Sequence, residues 1–275
     1  MFLLNCSGRL LSIETPLVMG IINTTPDSFF SGSRKQQTNE VLRQAEGMLA
    51  AGAGMLDIGG QSTRPGSRRI SEDEELQRVL PAVEAIAKKF PQAFISIDTY
   101  YAKVARLAVE AGACLVNDVS AGTIDEQLLP TVASLKVPYV LMHMKGTLDN
   151  MQQNPEYENV VTEVFDFFSF RLAQLQQMGI HDIIIDPGFG FGKTIAHNFQ
   201  LLKNLSYFNQ LQKPVLIGLS RKGTIYKTLN ITAEEALNGT TVLNTIGLLN
   251  GAHILRVHDV KEAIEAVKLV RACQQ

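Results

Sequence analysis

Four residues have the chemistry to read the edge of a flat heterocycle: Asp98, Asn117, Asp186 and Lys222. Two carboxylates accept from ring N–H and amino groups, an amide both donates and accepts, and a lysine donates to a carbonyl or ring nitrogen. Such a set suits the donor/acceptor edge of a 2-amino-4-oxo pyrimidine ring. A second set, Asn23, Thr63, Arg64, Arg256 and His258, suits phosphate oxygens, with Mg²⁺ as their companion. Magnesium takes few protein ligands and keeps waters and phosphate oxygens, so one Asn oxygen at position 23 could suffice.

Each of these residues closes, or follows, a short apolar run. The runs are 17–23, 55–59, 94–98, 115–119, 139–143, 183–186, 215–219 and 253–258. Stretches with helical periodicity lie between them, among them 39–51, 71–89, 102–111 and 157–178. Ser71-Glu-Asp-Glu74 is close to a capping-box start, and Gly112 and Gly179 are natural helix stops. Near-continuous apolar strands alternating with helices call for a parallel sheet. Eight such units call for closure into an α/β (β/α)8 TIM barrel, which takes about 250 residues. The chain has 275, so the expectation is one domain over 1–275, with a short β-hairpin at 2–13 around Asn5-Cys-Ser-Gly8. The rival, an open doubly wound sheet, would use fewer strands and show a nucleotide fingerprint after the first.

The polar residues collect at one end. Asn23, Gly59-Gly60, Asp98, Asn117-Asp118, His143, Asp186-Pro-Gly188, Ser220-Arg-Lys222 and Arg256-Val-His258 all close strands, whereas Pro16, Ala53, Ala93, Ala113, Pro138 and Pro214 open them. Barrel chemistry sits at the C-terminal face. Residues two apart share a strand face. Ser96 therefore goes with Asp98, Leu115 with Asn117, Ile184 with Asp186, and Ile254 with Arg256 and His258, which points them all into one mouth.

Plainer roles fit other polar residues. Asp57, Asp118 and Asp125 read as helix caps or turn formers. His181, His197 and His253 read as structural or solvated, and His143, between two methionines, as pocket wall. Gly192-Lys-Thr194 resembles the tail of a phosphate-cradling loop, but Pro187 occupies the position of its first glycine and lacks an N–H. Gly188, Gly190 and Gly192 would instead let backbone pass close to a flat ligand. The segments 24–37 and 60–70 are long for barrel loops and are expected to close over the site as lids.

Composition removes several classes of function. The net charge is −2, without the basic excess of a nucleic-acid binder. No apolar run approaches membrane-spanning length. Cys6, Cys114 and Cys273 are scattered and odd in number, so no disulfide framework or zinc site is expected, and a reducing, cytoplasmic setting is.

Several of these segments match one family in order. Met19-Gly-Ile-Ile-Asn-Thr-Thr-Pro-Asp-Ser-Phe29 and Leu56-Asp-Ile-Gly-Gly-Gln-Ser-Thr-Arg-Pro-Gly66 resemble the two signatures of the dihydropteroate synthase family. Ser96-Ile-Asp-Thr99, Asn117-Asp118, Asp186-Pro-Gly-Phe-Gly-Phe-Gly192, Gly218-Leu-Ser-Arg-Lys222 and Arg256-Val-His-Asp-Val260 resemble its remaining motifs. The resemblance implies condensation of 6-hydroxymethyl-7,8-dihydropterin diphosphate with p-aminobenzoate to 7,8-dihydropteroate, with release of diphosphate. It implies Asn23 as the Mg²⁺ ligand, and Thr63, Arg64, Asp98, Asn117, Asp186, Lys222, Arg256, Val257 and His258 around the pterin diphosphate. Of these, Asp98, Lys222, Arg256 and His258 would carry the chemistry. Ser220 and Arg221 would face the p-aminobenzoate carboxylate. A homodimer through the late helices is also implied, although 240–250 is less alanine-rich than that helix in the family. Two other readings stay open here: a pterin-binding methyltransferase domain, which would have no use for a diphosphate cradle, and a catalytically silent pterin-binding barrel.

Overall fold

The computed structural model describes residues 1–24, 34–61 and 69–274. The chain opens with an antiparallel hairpin, β1 (Phe2–Cys6) and β2 (Arg9–Ile13). Ser7 and Gly8 join them with φ of 53° and 85°. Two consecutive positive φ values are what a two-residue turn needs to match the strand twist. Eight parallel strands follow: β3 (Leu17–Asn23), β4 (Met55–Gly59), β5 (Ile95–Asp98), β6 (Leu115–Asp118), β7 (Tyr139–Met142), β8 (Ile183–Asp186), β9 (Leu216–Ile217) and β10 (Ile254–Val257). The helices between and after them are α1 (Arg34–Ala50), α2 (Glu72–Lys89), α3 (Ala102–Glu110), α4 (Leu128–Leu135), α5 (Val160–Gln177), α6 (Ile195–Lys203), α7 (Gly223–Leu229), α8 (Leu237–Leu249) and α9 (Val260–Gln274).

Sheet order is β8-β7-β6-β5-β4-β3-β10-β9, and a parallel bridge from Ile185 to Val215 joins the two ends. The expected (β/α)8 barrel is therefore present and closed. The largest departure is the run 215–219, where only Leu216 and Ile217 keep ladder pairing. Gly218 and Ser220 pass instead into the loop at the mouth. α1 starts before residue 39, and α5 starts after 157 because Asn159 caps it, accepting from the Val161 and Thr162 amides. Ser71 caps α2 as expected, its hydroxyl accepting from Glu74 N at 3.2 Å. Gly112 and Gly179, at φ of 120° and 84°, take the left-handed conformation that ends α3 and α5.

Strand parity splits the apolar residues into two cores. Val18, Ile22, Leu56, Ile58, Ile95, Ile97, Val116, Leu141, Ile183 and Ile185 pack outward against the helices. Met19, Met55, Leu115, Val140, Ile184, Leu216 and Ile254 fill the barrel interior together with Leu4, Cys6, Leu11 and Ile13 of the hairpin. The hairpin thus shuts the N-terminal end of the barrel with apolar side chains, each contributing about 1.5–3 kcal/mol when fully buried. With that end closed, the interior is open to ligand only at the ends where the strands finish.

Candidate functional site

The interior parity delivers a ring of polar side chains to the mouth. Asp57 follows Met55 on β4, Asp98 closes β5, Asn117 follows Leu115 on β6, Asp186 follows Ile184 on β8 and Arg256 follows Ile254 on β10. Arg256 binds the ring together. Its Nε donates to Asp57 Oδ2 at 2.6 Å and its Nη2 to Asp98 Oδ2 at 2.6 Å. Asn117 Nδ2 donates to the same Asp57 oxygen at 3.0 Å. Asp57 is fully buried, and its Oδ1 has no hydrogen-bond partner among the described residues. Expected to cap or turn, Asp57 is instead the anchor of the network. Asp118 and Asp125 do turn and cap: Asp118 accepts from Ser120 N and Gly122 N, and Asp125 from Ala102 N at the start of α3.

On the opposite side, Asp186 Oδ1 accepts from Gly188 N at 2.7 Å. Lys222 Nζ donates to the Phe189 carbonyl at 2.6 Å and lies 4.6 Å from the centre of the Phe191 ring. Burial sets the electrostatics. It pushes the Asp98 carboxyl up to about 7 against the pull of Arg256, raises Asp186 against the pull of Lys222, and brings Lys222 down to about 8. Burial also disfavours the Arg256 cation, but Asp57 and Asp98 outweigh it and hold that group above its ordinary value. Three carboxylates facing two cations leave a deficit of one positive charge, which a cationic or proton-donating ligand would fill.

Two expected members sit differently, and two lie outside the described residues. The Val257 side chain packs outward among the helices, as the alternation with Arg256 and His258 requires, so only its backbone borders the mouth. Arg221, at φ of 54°, turns its guanidinium to Asp259, with Nε and Nη2 at 2.8 and 2.9 Å from the two carboxylate oxygens, and Nη1 to the carbonyls of Ala233 and Glu234. That fork is committed to the α8–α9 side and offers no free cation to a carboxylate at Ser220. Thr63 and Arg64 lie outside the described residues, as do most of the expected lids, 25–33 and 62–68. The ends of the second segment are fastened: Gln61 Oε1 accepts from Ile70 N, and Arg69 Nε donates to Tyr101 Oη. Ser220 and His258 are brought together, with Oγ 3.0 Å from Nδ1 and accepting from His258 N at 3.2 Å. Asn23 closes β3, half-buried beside Gly59.

The glycines of the β8–α6 loop serve protein packing. Gly188 and Gly192 take φ of 70° and 62°, and a Cβ on them would lie 1.9 Å from the His143 carbonyl oxygen and 2.3 Å from that of Lys145. Backbone of the neighbouring loop, rather than a flat ligand, requires them. Lys193 completes this stitching: Nζ lies 2.9 Å from His143 Nδ1 and donates to the Phe191 carbonyl at 3.0 Å. Burial brings Lys193 down to about 7 and His143 well below its ordinary value. As expected, His143 belongs to a wall, next to the cluster of Tyr100, Val119, Met142, Met151 and Phe191, with Met144 packed on it. His253 accepts from Val215 N, and His197 caps α6 with Thr194, both structural.

Residues 19–258 match the model of the pterin binding enzyme family. The chain belongs to that family. The dihydropteroate synthase of Escherichia coli strain K12 is 42% identical to it over 267 residues, covering 96% of this chain and 94% of that protein. The Yersinia pestis dihydropteroate synthase, solved as a sulfonamide drug complex, superposes with a TM-score of 0.93 at 41% identity and covers 99% of each chain. The Xanthomonas albilineans dihydropteroate synthase in complex with 7,8-dihydropteroate superposes at 0.89 with 38% identity, again over 99% of each chain. The matched span contains every member of the carboxylate–arginine ring.

Proposed function

We propose that this chain is a dihydropteroate synthase of folate biosynthesis. It joins 6-hydroxymethyl-7,8-dihydropterin diphosphate to the amine of p-aminobenzoate and releases diphosphate. The observation that carries the reading is the ring of Asp57, Asp98, Asn117, Asp186, Lys222 and Arg256 at the barrel mouth, in a family whose relatives bear that name. Asp98 and Asp186 accept from the amino and N–H edge of the pterin, Asn117 reads the same edge, and Lys222 donates to its carbonyl or ring nitrogen.

An aromatic amine is a weak nucleophile, so departure of the diphosphate leads and leaves positive charge spread over the pterin methylene and ring. The surplus of carboxylates favours that charge. Arg256, its Nε and Nη2 held by carboxylates, turns its remaining N–H groups to the departing oxygens with His258. The carboxylate of p-aminobenzoate lies against the Ser220 turn, the place that sulfonamides would take.

Among the described residues no cluster of three or more His, Cys, Asp or Glu could hold a metal. A single neutral oxygen at Asn23 beside a diphosphate seat fits Mg²⁺ carried largely by water and phosphate oxygens. Such an ion supplies neutralisation of charge on the leaving diphosphate.

No helix among the described residues is long and apolar enough to cross a membrane; we place the protein in the cytoplasm, as one catalytic domain over 1–275. Val242, Ile246 and Leu249 are 49%, 37% and 59% exposed on α8, and this apolar stripe supports a homodimer through the late helices. The deciding experiment is an assay of diphosphate release with both substrates present and with each omitted. Release that needs both supports the synthase; release independent of p-aminobenzoate overturns it.

A further inference from the structure

The barrel floor brings together two cysteines that lie far apart in the chain. Cys6 ends β1 and Cys114 immediately precedes β6, and both are buried at 0% and 2% exposure. They belong to the same interior cluster, where each thiol perturbs the ionisation of the other. Neither is in a disulfide. Arg9 is the cross-strand partner of Cys6 in the hairpin. It holds its Nη2 4.0 Å from Cys114 Sγ, is fixed by the carbonyls of Pro91 and Ala93, and lies 4.6 Å over the Phe94 ring. A guanidinium pinned against one thiol of a pair favours its thiolate. The neighbouring Cys6 and the Arg9 guanidinium lower Cys114 despite its burial, while Cys6 is raised. The other charge facing the pair is the Asp182 carboxylate, which accepts from Asn5 N and disfavours ionisation of Cys6. The two thiols are therefore unequal: Cys114 is the nucleophile and Cys6 keeps its proton.

We propose that Cys6 and Cys114 are a redox site, a dithiol that hydrogen peroxide converts to a disulfide tying the N-terminal hairpin to the barrel. The Cys114 thiolate attacks one peroxide oxygen, the O–O bond breaks, and Cys114 becomes a sulfenic acid. The expelled hydroxide takes up the proton Cys114 had lost and leaves as water. The Cys6 sulfur then attacks the sulfenic sulfur, and the departing hydroxyl leaves with the Cys6 proton as a second water. Two thiols lose two electrons and two protons, and one peroxide becomes two waters. Access comes through local opening of the hairpin, a terminal element held by one apolar face and few polar ties. The crosslink closes a long stretch of chain, so it acts by restricting the unfolded state. It sits at the end of the barrel opposite the mouth, so the chemistry there is not its target.

The test is treatment of the full-length protein with hydrogen peroxide, followed by alkylation in denaturant and mass spectrometry of non-reduced peptides. The expected result is a linked pair of peptides carrying Cys6 and Cys114, reversed by a dithiol reductant, with a raised melting temperature and with turnover unchanged within about twofold. Cys6→Ser preserves side-chain size, so it keeps the fold, gives no linked peptide and loses the rise in melting temperature. Cys273, exposed at the end of α9, is the internal reference. Cys6 and Cys114 remaining thiols at a peroxide concentration that oxidises Cys273 would overturn the proposal. So would a rise in melting temperature that persists in Cys6→Ser.

Discussion

Arg256 reaches across β3 to Asp57, Nε to Oδ2 at 2.6 Å, although the two residues are 199 positions apart. Asp57 is fully buried, so the pair is a fixture of the barrel as well as of the mouth. Asp57→Asn keeps the shape and can still accept from one neighbour, but it removes the charge that orients the guanidinium. We expect a loss of about 1.5–3 kcal/mol in stability, the range for a hydrogen bond to a charged group. Urea unfolding of parent and variant measures it; equal midpoints would show that Asp98 alone holds Arg256.

Asp98 has the second hold on Arg256 and also faces the mouth. Asp98→Asn should weaken binding of pterin diphosphate by roughly 1.5–3 kcal/mol, because a charge-assisted bond becomes a neutral one. Calorimetric titration reads this directly, and an unchanged affinity would take Asp98 out of the site.

Glu75 on α2 is fully buried, and neither carboxylate oxygen has a hydrogen-bond partner among the described residues. Burial pushes its carboxyl up to about 8 from the usual 4.5. The native state therefore holds a proton that the unfolded chain releases between those values. Its contribution is complete below about pH 4.5 and disappears as pH rises through about 8. Glu75→Gln removes that dependence, so the variant should exceed the parent in stability by a few kcal/mol near pH 9, a difference that fades toward pH 4.5. Denaturant unfolding at both ends of the range checks it. A parent and variant with parallel pH profiles would mean that Glu75 is charged in the fold.

Lys222 is brought down to about 8 by burial. Its charged form, the one that would donate to a pterin, declines as pH rises through that value. Lys222→Arg cannot lose its proton in this range. Its turnover should be lower overall, because the fork does not fit a site built for a point donor, yet it should not fall further on the alkaline side. A pH profile of kcat/KM distinguishes this from a variant that retains the parent's alkaline limb.

Asn23→Ala should raise the Mg²⁺ concentration needed for half-maximal activity while the far-ultraviolet spectrum stays that of the parent. Overlaying Mg²⁺ titrations would show that the amide is not a ligand.

Alternation along strands was enough to place Asp98, Asn117, Asp186 and Arg256 in one mouth, because a barrel interior obeys a period of two. The same rule, applied to Met55, Asp57 and Gly59, places Asp57 inside; the turn-forming habit of Asp hid it. Applied to Val257, the rule sends the side chain outward, against its assignment to the pterin diphosphate. Partnerships between distant segments are what a single chain does not display. Arg221 belongs to Asp259, Lys193 to His143 and Cys6 to Cys114, and none of these pairs leaves a local signature. The glycines of 188–192 were legible as glycines that must be there, but not as glycines shaped to His143 and Lys145.

The Ser220–His258 contact fixes more than a position. Ser220 is 5% exposed, and its Oγ already accepts from the His258 backbone amide. Among the described residues the hydroxyl proton has one acceptor in reach, His258 Nδ1. A buried hydroxyl that donates nowhere is costly, so Nδ1 keeps its lone pair and the neutral imidazole carries its hydrogen on Nε2. The serine thereby selects the tautomer. Whether the ring is neutral or protonated, its outer nitrogen carries a hydrogen, so that edge of the imidazole is a donor in either state.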